Sequence, residues 1–487
     1  MAPSTAIIGA GIGGIGSALR MAAKGHDVTV YEQSGLLGGK ISEFYQDGFR
    51  FDTGPSLFTL PSLVDELFEL FGEDPREHIQ YRKLETSCKY FWDDGTIVNA
   101  WQDNEKFAAE VESATGVAKS KIKDFLHKSE QLYDITAEIF MFNSLHKLSN
   151  FFQPAFRKSL LRVHEIDAFS TMHNKNQKWF QHPKIVQMFD RYATYNGSDP
   201  YQTPATLNII AHLEHNIGAF FPDKGMYSIV NALTHFARRK GVMFLVGQPV
   251  EQVIVEGKKA KALQINNQIK TYDNIISNVD VENFYKHLLP AHKPPLKENL
   301  NQRSTSALIF YWGINTTFPG LEVHNILFSN DYKKEFDHLF KLKTITTDPT
   351  VYIFISSKTV KGDAPAGMEN WYVMINVPEN RGQDWDKMIT ESRKNIIGRI
   401  NKVMNTNIEK HILLEKISDP RTIERDTGSF RGSLYGPSSN GKFAAFLRHP
   451  NFRRKFENLY FTGGSVHPGG GIPLSLASAK IACQEVP

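Results

Sequence analysis

The sequence predicts an α/β fold, and three stretches of the chain carry this prediction. Residues 6–32 read as an apolar strand, a glycine-rich turn, a helix and a second strand. Residues 459–479 repeat the order of strand, glycines and helix near the other end of the chain. Between them, residues 307–377 are rich in strand patterns. The first stretch in particular is typical of a Rossmann-like unit, in which a helix connects two parallel strands.

The glycines of the first stretch have the spacing that a bound dinucleotide requires. Gly9 permits a tight turn, Gly11 lets the backbone approach a pyrophosphate, and Gly14 lets helix and strand pack closely. The helix that follows offers its N–H groups and its positive dipole end to the phosphates. Glu32 ends the second strand, where its carboxylate can accept the hydroxyls of an adenosine ribose. A glycine-rich signal peptide is not expected, because no basic segment precedes the apolar run and Arg20 interrupts it.

Composition sets limits on size, partners and compartment. A chain of 487 residues has room for two or three domains, or for one fold with large insertions. The net charge of +4 is small for this length, so we expect no nucleic-acid partner. Cys88 and Cys483 lie almost a chain length apart, which argues against a disulfide framework or a cysteine-based metal site and suits a reducing cytoplasm. No apolar run reaches the roughly 18 residues that a membrane-spanning helix needs.

A second pair of glycines follows Glu32 at residues 38–40. Gly39 belongs to this pair, and paired glycines near a dinucleotide again permit close backbone approach. Lys40, the next residue, can neutralise phosphate or ribose oxygens. The alternative is a plain turn that carries a solvated lysine.

The second glycine-rich helix start, near residue 470, decides which dinucleotide is expected. A strand runs into Gly463 and Gly464, and residues 469–473 then open a helix whose dipole favours negative charge, as on the N1–C2=O edge of a reduced flavin. A site that is completed by two distant parts of the chain suits FAD better than NAD. No second G-x-G-x-x-G occurs, so we expect no separate NAD(P)H domain and predict an oxidase or a dehydrogenase that passes electrons onward.

Residues 139–164 have an unusual composition. The segment holds no acidic residue, and its four basic side chains are interspersed with phenylalanine and leucine. Basic and aromatic residues on an amphipathic helix are typical of a segment that lies in a membrane interface. A helical cap over a pocket, with a solvated basic face, is the alternative. The 34 phenylalanines of the chain also favour a large apolar cavity, although big cores use phenylalanine too.

Taken together, these motifs resemble the bacterial-type phytoene desaturase (carotenoid/retinoid oxidoreductase) family over essentially the whole chain. The resemblance rests on the N-terminal fingerprint and on residues 38–40, 51–56, 201–214, 277–280 and 467–473. Within the family, the chain is most similar to the 1-hydroxycarotenoid 3,4-desaturases. Relatives that act on phytoene or diapophytoene share the same motifs.

The resemblance implies a Rossmann-like FAD-binding domain, a mixed-sheet substrate domain and a helical membrane-contact region. The implied FAD-binding domain comprises residues 1–75, 241–290 and 421–487, with the substrate and helical region at 76–240 and the second part of the substrate domain at 291–420. The implied FAD contacts are Gly9, Gly11, Gly14, Glu32, Gly39, Lys40, Ser56, Leu57, Val250, Asn278, Leu434, Gly463, Gly464, Gly471 and Ile472. Val250 is otherwise an ordinary strand residue, and Leu434 otherwise belongs to a plain loop.

A carotenoid substrate sets the chemistry that we expect. Hydride removal from an allylic C–H bond leaves a carbocation that the polyene delocalises, and proton loss from the neighbouring carbon completes the double bond. His467 lies beside the expected flavin edge and is the candidate base, with Glu214 and Asp331 as alternatives. Oxygen or a quinone is the expected electron acceptor. Because carotenoids reside in the bilayer, we expect a cytoplasmic protein that associates with the inner face of the membrane through residues 139–164.

Two interpretations of other classes stay open. Flavin amine oxidases share the N-terminal motifs, but they need an aromatic cage and often a flavin-linking cysteine near the C-terminus, where this chain has His467 and places Cys483 in its final helix. A non-enzymatic prenyl-lipid-binding protein on the same fold is the second alternative. The intact glycines at both ends of the chain argue against it.

Overall fold

The computed structural model of the chain describes residues 1–144, 146–152, 154, 157, 162, 165–294, 302–441, 444 and 448–487. The α-helices of at least six residues among them are α1 (Ile12–Ala23), α2 (Ser62–Glu69), α3 (Asn104–Thr115), α4 (Lys119–Phe140), α5 (Met172–Phe180), α6 (Pro183–Asp190), α7 (Tyr227–Arg239), α8 (Tyr332–Asp337), α9 (Trp385–Met404), α10 (Pro420–Thr427) and α11 (Ile472–Gln484). The strands are β1 (Ser4–Ile8), β2 (Asp27–Tyr31), β3 (Glu43–Gln46), β4 (Phe49–Asp52), β5 (Tyr81–Lys83), β6 (Thr86–Phe91), β7 (Ile97–Trp101), β8 (Phe220–Pro222), β9 (Met243–Leu245), β10 (Val250–Glu256), β11 (Lys259–Ile265), β12 (Gln268–Thr271), β13 (Asn274–Ser277), β14 (Ser306–Ile314), β15 (His324–Leu327), β16 (Val351–Phe354), β17 (Glu369–Val377), β18 (Ile412–Ser418) and β19 (Leu459–Phe461).

A five-stranded parallel sheet forms the centre of the Rossmann-like part, in the order β19-β13-β1-β2-β9. Side chains alternate across it. Ile7 and Val30 pack in one core with α1, α7 and α11, whereas Ala6 and Ile8 pack on the other side against the three-stranded sheet β10-β11-β12. Burial on both faces explains the continuous apolar runs of these strands. The predicted α/β fold is confirmed, and its sheet draws strands from three separate stretches of the chain.

A second sheet has seven strands in the order β18-β14-β17-β16-β15-β6-β7, with β15 and β6 parallel and the other pairs antiparallel. This sheet is the mixed sheet that the resemblance implied. Phe310, Trp312 and Trp371 point to one face and share a core with the apolar side of α9. Their neighbours Tyr311 and Tyr372 therefore point to the opposite face, which lines the large cavity described below.

One stretch of the helical part matters for the site. Between residue 201 and Glu214 the chain does not form a single regular helix but a 3₁₀ turn at Ala205–Asn208, a short α-turn at Ile209–Ala211 and a π-turn at His212–Ile217. Pro204 fixes an extended backbone that delays the start, and Gly218 ends the last turn with φ at +129°. The wide last turn places Glu214 inside the protein, where only 1% of it is exposed.

The segment at residues 139–164 lies only partly within the described residues. α4 runs into it and ends at Phe140, and a 3₁₀ turn follows at Leu148–Phe152. Most positions from 153 to 164 lie outside the described residues, so the predicted amphipathic helix there stays a prediction. No helix among the described residues is both long and apolar enough to cross a membrane.

Candidate active site

One cavity of about 1500 Å³ lies between the parallel sheet and the seven-stranded sheet. Pockets for a single small ligand are usually about 300–1,000 Å³, so this volume has room for a dinucleotide and a second long molecule. The predicted site residues in its wall are Gly9, Gly11, Glu32, Gly39, Lys40, Ser56, Leu57, Val250, Asn278, Leu434, Gly463, Gly464, His467, Gly471 and Ile472. Gly14 lies behind this wall, in the first turn of α1. The structure thus brings residues from both ends of the chain to one space.

The fingerprint glycines form a tightly packed turn at one end of the cavity. Gly9 has φ at +93°, a conformation that favours glycine. A Cβ on Gly14 would lie 2.1 Å from the carbonyl oxygen of Gly9, so strand and helix approach as closely as their backbones allow. The start of α1 therefore opens directly into the cavity, where its N–H groups can bind phosphate.

Asn278 connects the glycines from the two ends of the chain. Its backbone N–H donates to Ile8 over 2.8 Å, which continues the pairing of β13 with β1. Its side-chain Oδ1 lies so close to Gly13 and Gly463 that a Cβ on either would approach within 2.7 and 2.5 Å. The amide fills the space that these missing side chains leave. The glycine turns from both ends of the chain thus form a close-packed cradle of backbone in the cavity wall beside the start of α1, where a pyrophosphate can approach the backbone.

Two charged residues flank this cradle. Glu32 accepts the N–H of Ala10 at Oε2 and that of Ser34 at Oε1, over 2.8 and 2.9 Å, which fixes the carboxylate at the end of β2. Its remaining lone pairs can accept ribose hydroxyls. Lys40 donates to the carbonyl oxygen of Leu434, so two predicted site residues that are far apart in the sequence are in direct contact. Burial lowers the pKa of Lys40 to about 8.

In the wall of the same cavity, Gly471 caps α11 and His467 lies in the loop before it. The His467 ring is 1% exposed, and its Nε2 bonds the Asn143 carbonyl over 3.0 Å. A carbonyl only accepts, so Nε2 carries the proton and Nδ1 is a bare acceptor, for which the described residues offer no partner. Burial lowers the pKa of His467 to about 4, against the opposing effect of the Asn143 carbonyl. The ring is therefore neutral at physiological pH.

Beyond the glycines the cavity becomes largely apolar. Ile309, Tyr311 and Met374 of the seven-stranded sheet line one side. Phe140 of α4 and Leu213 of the π-turn line the other. An elongated hydrocarbon is the molecule that suits such walls.

Arg191 and Glu214 form a buried ion pair in the wall of this apolar part. The guanidinium Nη2 lies 3.0 and 3.1 Å from the two carboxylate oxygens, and it also donates to Tyr90. Tyr195 and Ser87 donate to the same carboxylate. Burial would raise the pKa of Glu214, but Arg191 outweighs that effect and holds it at about 2.

The contacts of the two alternative bases decide how well each suits that role. A carboxylate that already accepts from several donors and has so low a pKa is a poor proton acceptor, which disfavours Glu214. Asp331 does not line the cavity; it caps α8 by accepting the N–H of Lys334 over 2.9 Å. Of the three candidates, His467 alone combines a place in the wall with a bare acceptor atom.

Sequence reasoning missed several polar residues of the cavity. Arg191 and Tyr195 are one helical turn apart, a spacing that could have indicated a shared partner. His324 and Tyr352 had no local signal, because they meet only through the pairing of β15 with β16.

The comparisons with known proteins agree with this geometry. Residues 12–487 match the family described as flavin containing amine oxidoreductase. The chain belongs to this family. It is accordingly an FAD-dependent oxidoreductase, and the glycine cradle, the two helix starts and Glu32 fit that cofactor. Among members with known activity, the 1-hydroxycarotenoid 3,4-desaturase of Flavobacterium sp. (strain P99-3) is 44% identical over 481 residues, which are 99% of this chain and 98% of the relative.

Other comparisons give lower sequence identities. The 4,4'-diaponeurosporene oxygenase of Staphylococcus aureus (strain MSSA476) is 29% identical over 484 residues, 99% of this chain and 97% of the relative. Among solved structures, an oxidoreductase from Methanosarcina mazei aligns with a TM-score of 0.63 at 14% identity over 98% of both chains. Putrescine oxidase bound to putrescine aligns with a TM-score of 0.64 at 12% identity, covering 99% of this chain and 98% of that chain. At such identities the structures establish the shared fold alone.

Proposed function

We propose that the protein is an FAD-dependent carotenoid desaturase that introduces a double bond at C3–C4 of a 1-hydroxycarotenoid. One observation carries the proposal: the glycine-lined end of the cavity continues without a break into a long, largely apolar compartment. A polyene needs a dry apolar channel, whereas an amine needs polar or charged anchoring groups. The 44% identity to a 1-hydroxycarotenoid 3,4-desaturase supports the choice of substrate.

The protein's contribution to this reaction is mainly alignment and exclusion of water. Bound FAD supplies the hydride acceptor. The seven-stranded sheet and the α4 wall hold the polyene so that one C–H bond faces the cofactor, which lowers the entropic part of the barrier. Exclusion of water also protects the cationic substrate from hydration. Oxygen or a quinone then reoxidises the enzyme in our proposal.

We propose His467 as the base that takes the second proton. Its Nδ1 is a bare acceptor, and the Asn143 carbonyl fixes this tautomer. A pKa of about 4 makes the ring a weak base in ordinary terms. A proton next to a carbocation is strongly acidic, however, so a weak base suffices and stays unprotonated between turnovers.

Replacing His467 with alanine is expected to slow formation of the desaturated product in a single turnover by about a hundredfold, because the proton that the carbocation must lose has no acceptor. Bound flavin per protein should stay unchanged. His146→Ala is the matched control, since this half-buried histidine lies 5.9 Å from His467 between ring centroids but does not line the cavity. Equal rates for His467→Ala and wild type would remove His467 from the mechanism.

We further propose that the protein associates peripherally with the inner face of the membrane through residues 139–164. Within this segment, Phe152 is 80% exposed and Arg157 is exposed as well. An exposed phenylalanine and an exposed cation in one segment match the composition of interfacial segments. Lys147 adds less unpaired positive charge to this segment than the sequence indicated, because its ammonium group pairs with Glu485 over 2.8 Å.

Phe152→Ser is expected to weaken partitioning onto anionic lipid vesicles at least about tenfold, since burying one phenylalanine contributes roughly 1.5–3 kcal/mol. Co-flotation with the vesicles measures the effect. Leu342→Ser is the control, because Leu342 is 61% exposed but lies outside the segment. If both variants float like the wild type, membrane contact through this segment is wrong.

Product analysis tests the proposed function itself. The gene is expressed in cells that make defined acyclic carotenoids, with and without a 1-hydroxyl group, and the pigments are separated and identified. The proposal expects added conjugation at C3–C4 of the hydroxylated carotenoid. Conversion of only phytoene or diapophytoene would reassign the substrate. Hydrogen peroxide release with amines, or a purified protein without flavin, would overturn the desaturase assignment in favour of an amine oxidase or a lipid carrier.

A further inference from the structure

A connected chain of polar groups interrupts the apolar sheet face of the cavity. The Ser56 hydroxyl lies 2.6 Å from the Tyr352 hydroxyl, which lies 2.7 Å from Nδ1 of His324. All three residues line the cavity. The His324 ring is held flat against Phe354, with ring centroids 5.2 Å apart and an interplanar angle of 13°. Its position is thus fixed from two sides.

The second nitrogen of this histidine has no partner within the part of the chain that the structure describes. His324 is 2% exposed, and no side chain or backbone group there reaches Nε2. Burial lowers the pKa of His324 to about 3, while the Glu214 carboxylate acts in the opposite direction, so the ring is neutral. A neutral imidazole either donates or accepts at Nε2, depending on which way the Tyr352 hydroxyl points. An unpaired buried nitrogen is costly, which favours a ligand that pairs with it.

We infer that His324, oriented by Tyr352 and Ser56, binds the alcohol group of the substrate and so selects hydroxylated over plain hydrocarbon carotenoids. This inference rests on the proposed function and deepens it. An alcohol both donates and accepts, so it suits either tautomer of the ring. A site built to pair with a hydroxyl also rejects an analogue that lacks it, because the polar group is then left buried and unpaired.

The position of the polar chain agrees with the site of reaction. Ser56 is one of the residues implied to contact FAD, and His324 follows it through only two hydrogen bonds. A hydroxyl on C1 is likewise only a few bonds from C3 and C4. An alcohol held at His324 therefore leaves the reacting carbons near the cofactor end of the cavity, whereas the remaining polyene extends along the apolar walls.

The test compares paired substrates that differ only in the 1-hydroxyl group. His324→Phe keeps the stacked ring and removes both nitrogens. We expect it to reduce the kcat/KM ratio of hydroxylated to plain carotenoid at least tenfold, with the plain substrate affected little. Binding measured by quenching of tryptophan fluorescence should show the same loss for the hydroxylated compound. His324→Gln, which retains a donor and an acceptor, should recover part of the preference.

Two tyrosine variants separate this effect from general changes in the cavity wall. Tyr352→Phe breaks the chain at its centre and should weaken the preference. Tyr372→Phe is the matched control, because the Tyr372 hydroxyl lies on the same sheet face but donates to the sulfur of Met374 and takes no part in the chain. Its preference should equal that of the wild type.

The possible results separate a failure of this inference from a failure of the proposed function. A wild type that prefers the hydroxylated substrate while His324→Phe keeps that preference overturns the inference and leaves the proposed function intact. A flavin-loaded wild type that converts neither carotenoid overturns the proposed function and the inference with it. Should His324→Phe fail to fold, Tyr352→Phe decides: an unchanged preference in that variant also overturns the inference.

Discussion

Gly14→Ala is expected to abolish flavin binding, and with it activity, although it adds a single methyl group. The new Cβ would lie 2.1 Å from the carbonyl oxygen of Gly9, a distance that no pair of these atoms can keep. The carbonyl belongs to the backbone and the backbone fixes the position of the Cβ, so no side-chain rotation relieves the contact. The start of α1 must instead move away from β1, which displaces the N–H groups that face the phosphates.

The flavin content of the purified variant, read as bound-flavin absorbance per protein, checks this expectation. Gly398→Ala is the matched control: Gly398 lies in α9, a Cβ there meets no atom within 4 Å, and the residue does not line the cavity. The control should bind flavin fully and be stabilised by up to about 1 kcal/mol, since alanine favours helix. Full flavin content in Gly14→Ala would show that the fingerprint turn does not hold the cofactor.

The second large effect is expected on stability. Arg191→Leu should lower the free energy of unfolding at pH 7 by about 3–5 kcal/mol, because it leaves the Glu214 carboxylate buried without its counter-charge. Denaturant unfolding measures the change. Removal of both partners in Arg191→Leu/Glu214→Leu should cost less than the single change, since no charge is then buried alone. Lys333→Met, which breaks an exposed pair with Asp337, is the control and should cost at most about 1 kcal/mol.

The Arg191–Glu214 pair also determines how the free energy of unfolding changes with pH. The folded pKa of Glu214 is about 2, below its ordinary value of 4.5. Its contribution to stability is therefore present above pH 4.5 and is lost as the pH falls towards 2. Without Arg191, burial should instead raise the pKa of Glu214. In the variant this carboxylate then becomes protonated at mildly acidic pH, which removes the unpaired buried charge. The deficit of Arg191→Leu should shrink between pH 7 and pH 4, and a constant deficit would contradict the ion-pair explanation.

The nucleotide end of the cavity could be predicted because its chemistry is written in local spacing. Gly9, Gly11 and Gly14 lie close together in the sequence around one turn, and Gly471 and Ile472 lie at the start of one helix. Each group can therefore be recognised from local sequence spacing. The residues implied as FAD contacts accordingly lie together around one cavity, with Gly14 directly behind it. Their individual contacts with FAD stay predictions.

The substrate end could not be predicted in the same way. Ser56 and Tyr352 are 296 positions apart and meet only because β4, β16 and the loop between β4 and α2 converge on the cavity. The choice among the three candidate bases depended on burial and on hydrogen-bond partners, which a sequence does not list. From the sequence, Glu214 is a plausible catalytic base, but in the folded protein Arg191 and Tyr195 donate to its carboxylate oxygens.

By itself, then, the sequence determined that this protein is a flavin-dependent enzyme, and it predicted that glycine turns from both ends of the chain hold the dinucleotide. Steric rules for glycine and the dipole of a helix start act within a few residues, so they can be read along the chain. Only the tertiary structure decided which polar groups line the rest of the cavity and in which protonation state. Desolvation and charge pairing set the pKa values of Glu214 and His467, and both arise from residues that folding brings together from distant positions.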